Sequence, residues 1–481
     1  MSDSWLVVKF GGTSVAGIQQ WQAIESLVRQ RLDNGYRVLL VCSAVSGITN
    51  SLQALVDSAQ NFDVEIFESM IERYRQLARD LDVDANHLIQ TAGAEIHRLL
   101  ELISNCAAPA DRYSAIASLM PIGEYLTTRI GQRFLARSLS VDWVDARQAL
   151  TTLAEDDATG KRSRLFARCE SGPDRKLQAG WSSKAPLLIT QGFVASHPCG
   201  GPALLGRGGS DTSAALLASR LEAVRVEIWT DVPGLFSADP RVIPGACLLR
   251  VLNYDEALEM AASGTKVVHS RCIRAASDAG IPILVRDIAN PGFEGTTIQG
   301  DTGTGSKNIA GIRAVCCQPD MAVLLLQNLD TREHVGFLAW VFTQFSEAGI
   351  SVDLVATSET TTTVALDRAR NHLDGDMLEK LATRLRQRCA VTVHPQCSAI
   401  NLVGRGARLA LAGIDPDASF FGGHPLLMLS QSANDLSISL LLHSRDAELL
   451  LPVLHAELVG KGLDAERRAK IFGPGWQEIQ H

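Results

Sequence analysis

Apolar positions along the first ~300 residues follow two alternating rhythms. Short runs of consecutive, often β-branched residues read as buried strands: Trp5–Val8, Arg37–Ser43, Ala185–Ala195, Val224–Thr230 and Ile281–Val285. Between them lie longer segments whose apolar residues recur at helical spacing, among them Val15–Asn34 and Glu124–Arg137. Ser210–Leu221 opens with Ser and Asp, both good helix caps, and reads as a further helix. This alternation predicts an α/β domain with a mostly parallel sheet sandwiched by helices. Phe62–Cys106 is charged, leucine-rich and helical, and reads as a subdomain.

Asn290–Ser306 (NPGFEGTTIQGDTGTGS) breaks the rhythm and reads as a linker, being rich in Gly, Thr and Asp. Beyond it one order of elements occurs twice. The first copy has strands at Met321–Gln327, Ser351–Thr357 and Thr361–Leu366 and helices at Val335–Ala348 and His372–Arg388. The second has strands at Ser398–Val403, Leu426–Ser432 and Leu436–Leu442, a candidate helix between the first two, and a closing helix at Ala447–Val459. Two β-α-β-β-α units of about 75–85 residues have the size of small domains. They carry no catalytic signature, which leaves packing or dimerisation, or a ligand-sensing pair, as their roles.

Composition narrows the class. A chain of 481 residues is too long for one ordinary domain. Its net charge of −8 excludes general affinity for nucleic acid or anionic membrane, so basic residues gathered in a site serve a local purpose. No segment is long and apolar enough to span a bilayer, and MSDSW lacks the regions of a signal peptide. Ten scattered cysteines form no CxxC pair, which argues against zinc and for reduced thiols in a cytoplasmic protein.

Three stretches carry the candidate chemistry. In Lys9-Phe-Gly-Gly-Thr-Ser14 a strand ends in lysine and turns on Gly11 and Gly12 into a helix, a geometry that suits a phosphate. In Leu205-Gly-Arg-Gly-Gly-Ser-Asp-Thr-Ser213 a second glycine turn brings Arg207 and Asp211 to a helix start. In Trp229-Thr-Asp-Val-Pro-Gly-Leu-Phe-Ser-Ala-Asp-Pro-Arg241 an apolar strand ends in Thr230-Asp231, the place where parallel sheets hold ligands. Arg241 and Lys266, in Ser263-Gly-Thr-Lys266, are further phosphate partners. Taken alone, glycines that merely make tight turns and a solvated surface loop explain these stretches as well.

KFGGTS (residues 9–14), SAVSGITN (43–50), IGE (122–124), GRGGSD (206–211), WTDVPG…DPR (229–241) and GTKVVH (264–269) stand in an order and spacing that resemble the aspartokinases of the amino-acid kinase fold. SVDLVATSE (351–359) brings the chain nearest to their lysine-sensitive class, and the paired C-terminal units resemble ACT regulatory domains. The resemblance implies a catalytic domain over 1–295, ACT domains over 308–391 and 392–470, and a tail over 471–481 that docks on the body or begins a fusion linker. It implies the MgATP-dependent phosphorylation of the L-aspartate β-carboxylate to 4-phospho-L-aspartate, the first step toward lysine, threonine and methionine. Lys9 and the amides of Gly11 and Gly12 hold the transferring phosphoryl group, and Mg²⁺ bridges the β- and γ-phosphates. Arg207 pairs with the α-carboxylate, Glu124 takes the ammonium, Ser43, Thr49 and Ser210 line the pocket, and Asp211 orients Lys9 or holds the substrate. ATP lies at Thr230, Asp231, Phe236, Arg241 and Lys266; Phe236 replaces a tyrosine, which leaves apolar stacking there, and Ser270 stands after His269 where a proline is usual.

For regulation, the resemblance implies an effector at Ser351, Val352, Asp353, Ser358 and Glu359, opposite backbone groups of Gly336, Phe337 and Leu338. Lysine is the expected ligand, with threonine its rival because Arg332 and His334 depart from close relatives. A homodimer or dimer of dimers through the ACT units is implied. A kinase for another small carboxylate and a non-catalytic amino-acid sensor are the competing readings. Lys9→Ala is expected to abolish turnover and leave the fold intact, since no core contact of its ammonium follows from the sequence.

Overall fold

Six consecutive buried residues form the first strand, Trp5–Phe10 (β1), and only one of them, Lys9, is charged. Burial on both faces follows from its neighbours: it pairs in parallel with Arg37–Cys42 (β2) on one side and Val226–Thr230 (β7) on the other, with Lys9 opposite Val41 and Ile228. The computed structural model describes residues 4–154, 160–265, 267–300, 310–328, 335–412 and 424–479. The remaining strands are Val141–Trp143 (β3), Leu187–Gln191 (β4), Val194–Ser196 (β5), Pro202–Leu204 (β6), Cys247–Leu249 (β8), Val251–Asn253 (β9), Ile283–Asp287 (β10), Thr296–Gln299 (β11), Ala314–Asn328 (β12), Leu354–Thr357 (β13), Thr361–Asp367 (β14), Cys389–Val403 (β15), Met428–Gln431 (β16), Ser437–His443 (β17) and Phe472–Gly475 (β18). They fall into two units. One comprises residues 1–235, 250–258 and 266–302, the other 236–249, 259–265 and 303–481.

The first unit is built on an eight-stranded sheet of order β3-β4-β2-β1-β7-β10-β11-β9, parallel except at β10–β11. β11 corrects the reading of residues 290–306 as a linker. Thr296 and Ile298 of Thr-Thr-Ile-Gln face inward and Thr297 and Gln299 outward, and this period of two outweighed the surrounding glycines. The helices of residues 62–106 are corrected likewise. Met70, Tyr74, Ile96 and Leu100 pack with Leu6, Val8 and Leu40 of the sheet in one continuous core, so they form no separate subdomain.

Beneath the middle of that sheet lies a buried charge network that sequence patterning did not show. Glu227 on β7 has no exposed surface and accepts hydrogen bonds from Arg31, Arg225 and the Trp229 indole. A carboxylate buried this deeply is tolerated only because two guanidinium groups face it. Glu227→Gln removes the charge and leaves both arginines uncompensated. It should cost about 3–5 kcal/mol, read as a fall in the thermal unfolding midpoint.

The second unit holds a six-stranded sheet of order β13-β14-β12-β15-β17-β16. The repeat read from the sequence is present, but its copies are interleaved. Residues 321–327 of β12 pair with β14, while residues 314–318 pair with 399–403 of β15, whose other side carries β17. Each long strand therefore serves both copies, and a register shift between Gln318 and Val323 marks the passage from one to the other. Phe337–Glu347 and Gly375–Leu385 are the helices of the first copy, packed through Val341, Phe345, Leu378 and Leu381 on Leu324 and Leu326. Ser444–Leu458 is the closing helix of the second.

The C-terminal tail docks within this unit, since β18 pairs with β8 in antiparallel. All ten cysteines are free, and among the described residues no helix is long and apolar enough to cross a membrane.

Candidate active site

The carboxyl ends of the parallel strands β1, β2, β4 and β7 gather most of the residues singled out in the first unit. Lys9, 8% exposed, points its ammonium to Asp211, with Nζ and Oδ1 2.5 Å apart. The amide of Gly11 bonds to the Trp229 carbonyl at 3.4 Å, and that of Ser43 to the Phe10 carbonyl at 3.1 Å, so the loops after β1, β2 and β7 are tied together. Ser210 lies against Gly192 at the end of β4, where a Cβ would come within 2.7 Å of it. Two fully buried thiols, Cys42 and Cys272, sit near enough to feel the charge of Lys9. Burial pushes both far up from the ordinary thiol range, so they stay neutral.

Close approach explains two of the glycines. A Cβ on Gly12 would lie 2.7 Å from the Ala44 carbonyl, and one on Gly123 2.8 Å from the Ala44 side chain. Both turns thus press on the loop after β2, which carries Ser43 and leads to Thr49. Gly123 opens the helix Ile122–Leu135 beside Ile48, and its carbonyl accepts from the Tyr74 hydroxyl at 2.8 Å. The next residue is Glu124.

Glu124 is 3% exposed. Its carboxylate takes backbone amide bonds from its own residue and Ala44, yet its Oε2 has no partner. Burial raises its pKa from the usual carboxylate value to about 7, and the two amides offset only part of that. One oxygen of this buried carboxyl is thus left unsatisfied by the described residues. Gly123 was the signal for this placement, because a larger residue would hold the helix away from Ala44.

The helix after the second glycine turn begins one residue earlier than its sequence suggested. Gly208, left-handed at φ 63°, stands at the cap position of Gly209–Leu221 without a side-chain bond. Ser210 and Asp211 are therefore first-turn residues, and Asp211 faces Lys9 instead of capping. His269, given no role by the sequence reading, accepts a hydrogen bond from the Arg271 amide at the start of Ser270–Ala279, and its ring lies where a side chain on Gly208 would collide. Arg207 is exposed and has no ion pair among the described residues. At the end of β7 the Thr230 hydroxyl donates to the Asp231 carboxylate at 3.0 Å.

Phe236 and Arg241 belong to the second unit. Phe236 is 8% exposed and meets the Trp476 ring; Arg241 is exposed and paired with Asp239 at 2.8 Å. Lys266 lies outside the described residues, as do Arg332 and His334.

Among the effector residues, Phe337, Leu338, Ser358 and Glu359 line one cavity of about 500 Å³, together with Thr357 and Thr360–Thr362. Gly336 precedes it at the helix start, and Ser351 and Val352 are not among its lining residues. Asp353 is already engaged: its oxygens accept from the Asp367 amide at 2.7 Å and from Arg370 at 2.9 Å.

A model of the amino acid kinase family matches residues 4–287. Over 474 aligned residues the chain is 32% identical to the lysine-sensitive aspartokinase 3 of Escherichia coli strain K12, covering 94% of this chain and 99% of that protein. Crystal structures of E. coli aspartokinase III align over 94% of this chain and 99% of theirs at 30% identity. The TM-score is 0.75 for its complex with aspartate and ADP, the R-state, and 0.73 for its complex with lysine and aspartate, the T-state. Matches of this length and identity place the chain in the amino acid kinase family, among its aspartokinases.

Proposed function

We propose that the protein transfers the γ-phosphoryl group of ATP to the β-carboxylate of L-aspartate, giving 4-phospho-L-aspartate and ADP, as the first step toward lysine, threonine and methionine. The observation that carries this reading is Glu124, a buried carboxyl with an unmet oxygen, on the same Ala44 loop that Gly12 presses on. An amino-acid ammonium satisfies it. Arg207, exposed and without an ion pair among the described residues, takes the α-carboxylate, and Ser43, Thr49 and Ser210 supply hydroxyls. A β-carboxylate oxygen then attacks the γ-phosphorus, the bond to the β,γ-bridging oxygen breaks, and ADP leaves with that electron pair.

Phosphoryl transfer needs positioning and charge neutralisation. Lys9 and the amides of Gly11 and Gly12 hold the charge of the transferring group, and Asp211 keeps Lys9 aimed. Thr230 and Asp231 take the nucleotide, with Phe236, Arg241 and Lys266 assigned to it by resemblance. Among the described residues no three acidic, histidine or cysteine side chains converge to cage a metal. An Mg²⁺ arriving with the nucleotide would add positive charge against the phosphates beside that of Lys9.

Lysine is the proposed effector, at the cavity lined by Phe337, Leu338, Ser358 and Glu359. The lysine complex of the E. coli relative supports this. Asp353 does not line this cavity, and an effector amine reaching it would share its carboxylate with Arg370. Inhibition requires that lysine bind a low-activity arrangement better than an active one. The test is ADP release from MgATP with L-aspartate, with and without lysine. Aspartate-dependent release that lysine suppresses is expected. Release indifferent to lysine would move the effector to threonine, and none from folded protein would end the kinase reading.

A further inference from the structure

Beyond the carboxyl end of β4 the chain bends at Gly192-Phe193-Val194. Phe193 is left-handed at φ 72°, and the Val194 amide donates to the Gly192 carbonyl at 2.9 Å. A bond across one residue with that φ makes the strained form of the γ-turn, which bulky side chains rarely occupy. Such a conformation persists only where its surroundings over-determine it. Here they do. The Gly192 amide donates to the Cys42 carbonyl at the end of β2 at 3.1 Å. The Phe193 amide donates to the wholly buried Ser213 hydroxyl at 2.9 Å, and the Phe193 carbonyl accepts from the Leu205 amide at 2.9 Å. Leu205 and Ser213 are the two ends of the second glycine-turn stretch, so a single residue ties down both ends of the segment that bears Arg207, Ser210 and Asp211. Its ring lies between them, where a Cβ on Gly209 would come within 2.5 Å of it.

We infer that Phe193 is a positioning residue: its ring sets where the first turn of Gly209–Leu221 stands, and through Asp211 it aims Lys9. A glycine would occupy this bend without strain. The side chain kept there at a cost therefore matters for what its ring touches, which is Gly209, next to Ser210 and two residues before Asp211. The salt bridge from Asp211 to Lys9 completes the path. The inference rests on the proposed part of Lys9 and Asp211 in phosphoryl transfer, so an Asp211 variant enters the test.

The experiment is a double-mutant cycle on the full chain, with MgATP and L-aspartate varied separately and thermal unfolding measured alongside. Asp211→Asn alone should lower kcat about a hundredfold. Phe193→Gly keeps the bend and loses the ring; it should lower kcat about tenfold and leave KM for ATP within about twofold, since Thr230 and Asp231 stand on another loop. Phe193→Tyr, which keeps a ring, should restore most of the loss. In the Asp211→Asn background Phe193→Gly should change kcat by less than about twofold, because no aimed ammonium is left to misplace. Phe193→Ala loses the ring and keeps the strain, so it should unfold at a lower temperature than Phe193→Gly. If the glycine variant does not fold, Phe193→Leu enters the same cycle with the same expected coupling. If Asp211→Asn acts and Phe193→Gly does not, or if Phe193→Gly costs the same factor in both backgrounds, the ring is packing alone and the inference is wrong. If Phe193→Gly acts and Asp211→Asn does not, the reading of Asp211 falls, and the path from the ring to Lys9 falls with it.

Discussion

Glu124→Gln is expected to stabilise the free protein near pH 8 while removing most of its affinity for aspartate. Burial lifts this carboxyl from 4.5 to about 7, so folding penalises its charged form. The native state then holds a proton that the unfolded chain releases at lower pH. Stability from this group is intact below about 4.5, falls as pH rises, and is fully lost above about 7. At about 1.4 kcal/mol per unit, the cost above that range is roughly 3 kcal/mol. Glutamine does not ionise, so the variant should unfold at a higher temperature than the parent near pH 8 and at a similar one near pH 5.

Function runs the other way. The substrate ammonium needs the ionised carboxylate, and a glutamine amide offers it a weaker acceptor. The specificity constant for aspartate should fall about a hundredfold, in line with the loss of a charge-assisted hydrogen bond. In the parent it should fall about tenfold per pH unit below about 7, and in the variant this dependence should vanish. Equal unfolding temperatures at pH 8, or an unchanged pH profile, would remove Glu124 from the role.

Lys9→Ala should lower kcat by about 10³-fold if its ammonium has the proposed role of neutralising the transferring phosphoryl group. Here the structure changes what the sequence implied for folding. No core contact of the ammonium follows from the sequence, which offers Asp211 as its orienting partner only by resemblance; in the structure the side chain is buried and stands 2.5 Å from Asp211. Removing it strands a carboxylate whose side chain is 14% exposed, at a cost of about 1–3 kcal/mol. Adding Asp211→Asn should recover that stability and none of the turnover. Full turnover by Lys9→Ala in single-turnover assays would discard the assignment, and a melting temperature equal to the parent's would discard the pairing argument.

The elements nearest the chemistry were legible because their local signals agree. β1 is an apolar run that closes on Lys9-Phe10, and β2 and β7 are apolar runs that lead directly into Ser43 and into Thr230-Asp231. The glycine turn at 206–209 was legible as a turn but not in phase, because Gly208 took the cap position that Ser210 and Asp211 would otherwise fill. β11 was hidden by glycines on both sides of a four-residue alternation too short to register. Glu124 reads as an ordinary helix glutamate until Ala44 and Tyr74, distant in sequence, close around its helix start. Glu227 was hidden for the same reason: its partner Arg31 is 196 positions away. The docking of the tail on residues 236–249 likewise joins segments more than 200 positions apart, which no local pattern encodes.

The interleaving of β12 and β15 bears on how such a protein can be redesigned. An effector module defined by sequence, roughly residues 308–391, looks like a cassette that could be exchanged between relatives to change which amino acid governs the enzyme. A cut at its far end falls inside β15, three residues from its start, and separates residues 399–403 from the 314–318 segment they pair with. The two copies therefore share one sheet. Recombination, natural or deliberate, keeps a folded sheet only when both copies travel as one piece, and selectivity within one copy must change by substitution around its cavity.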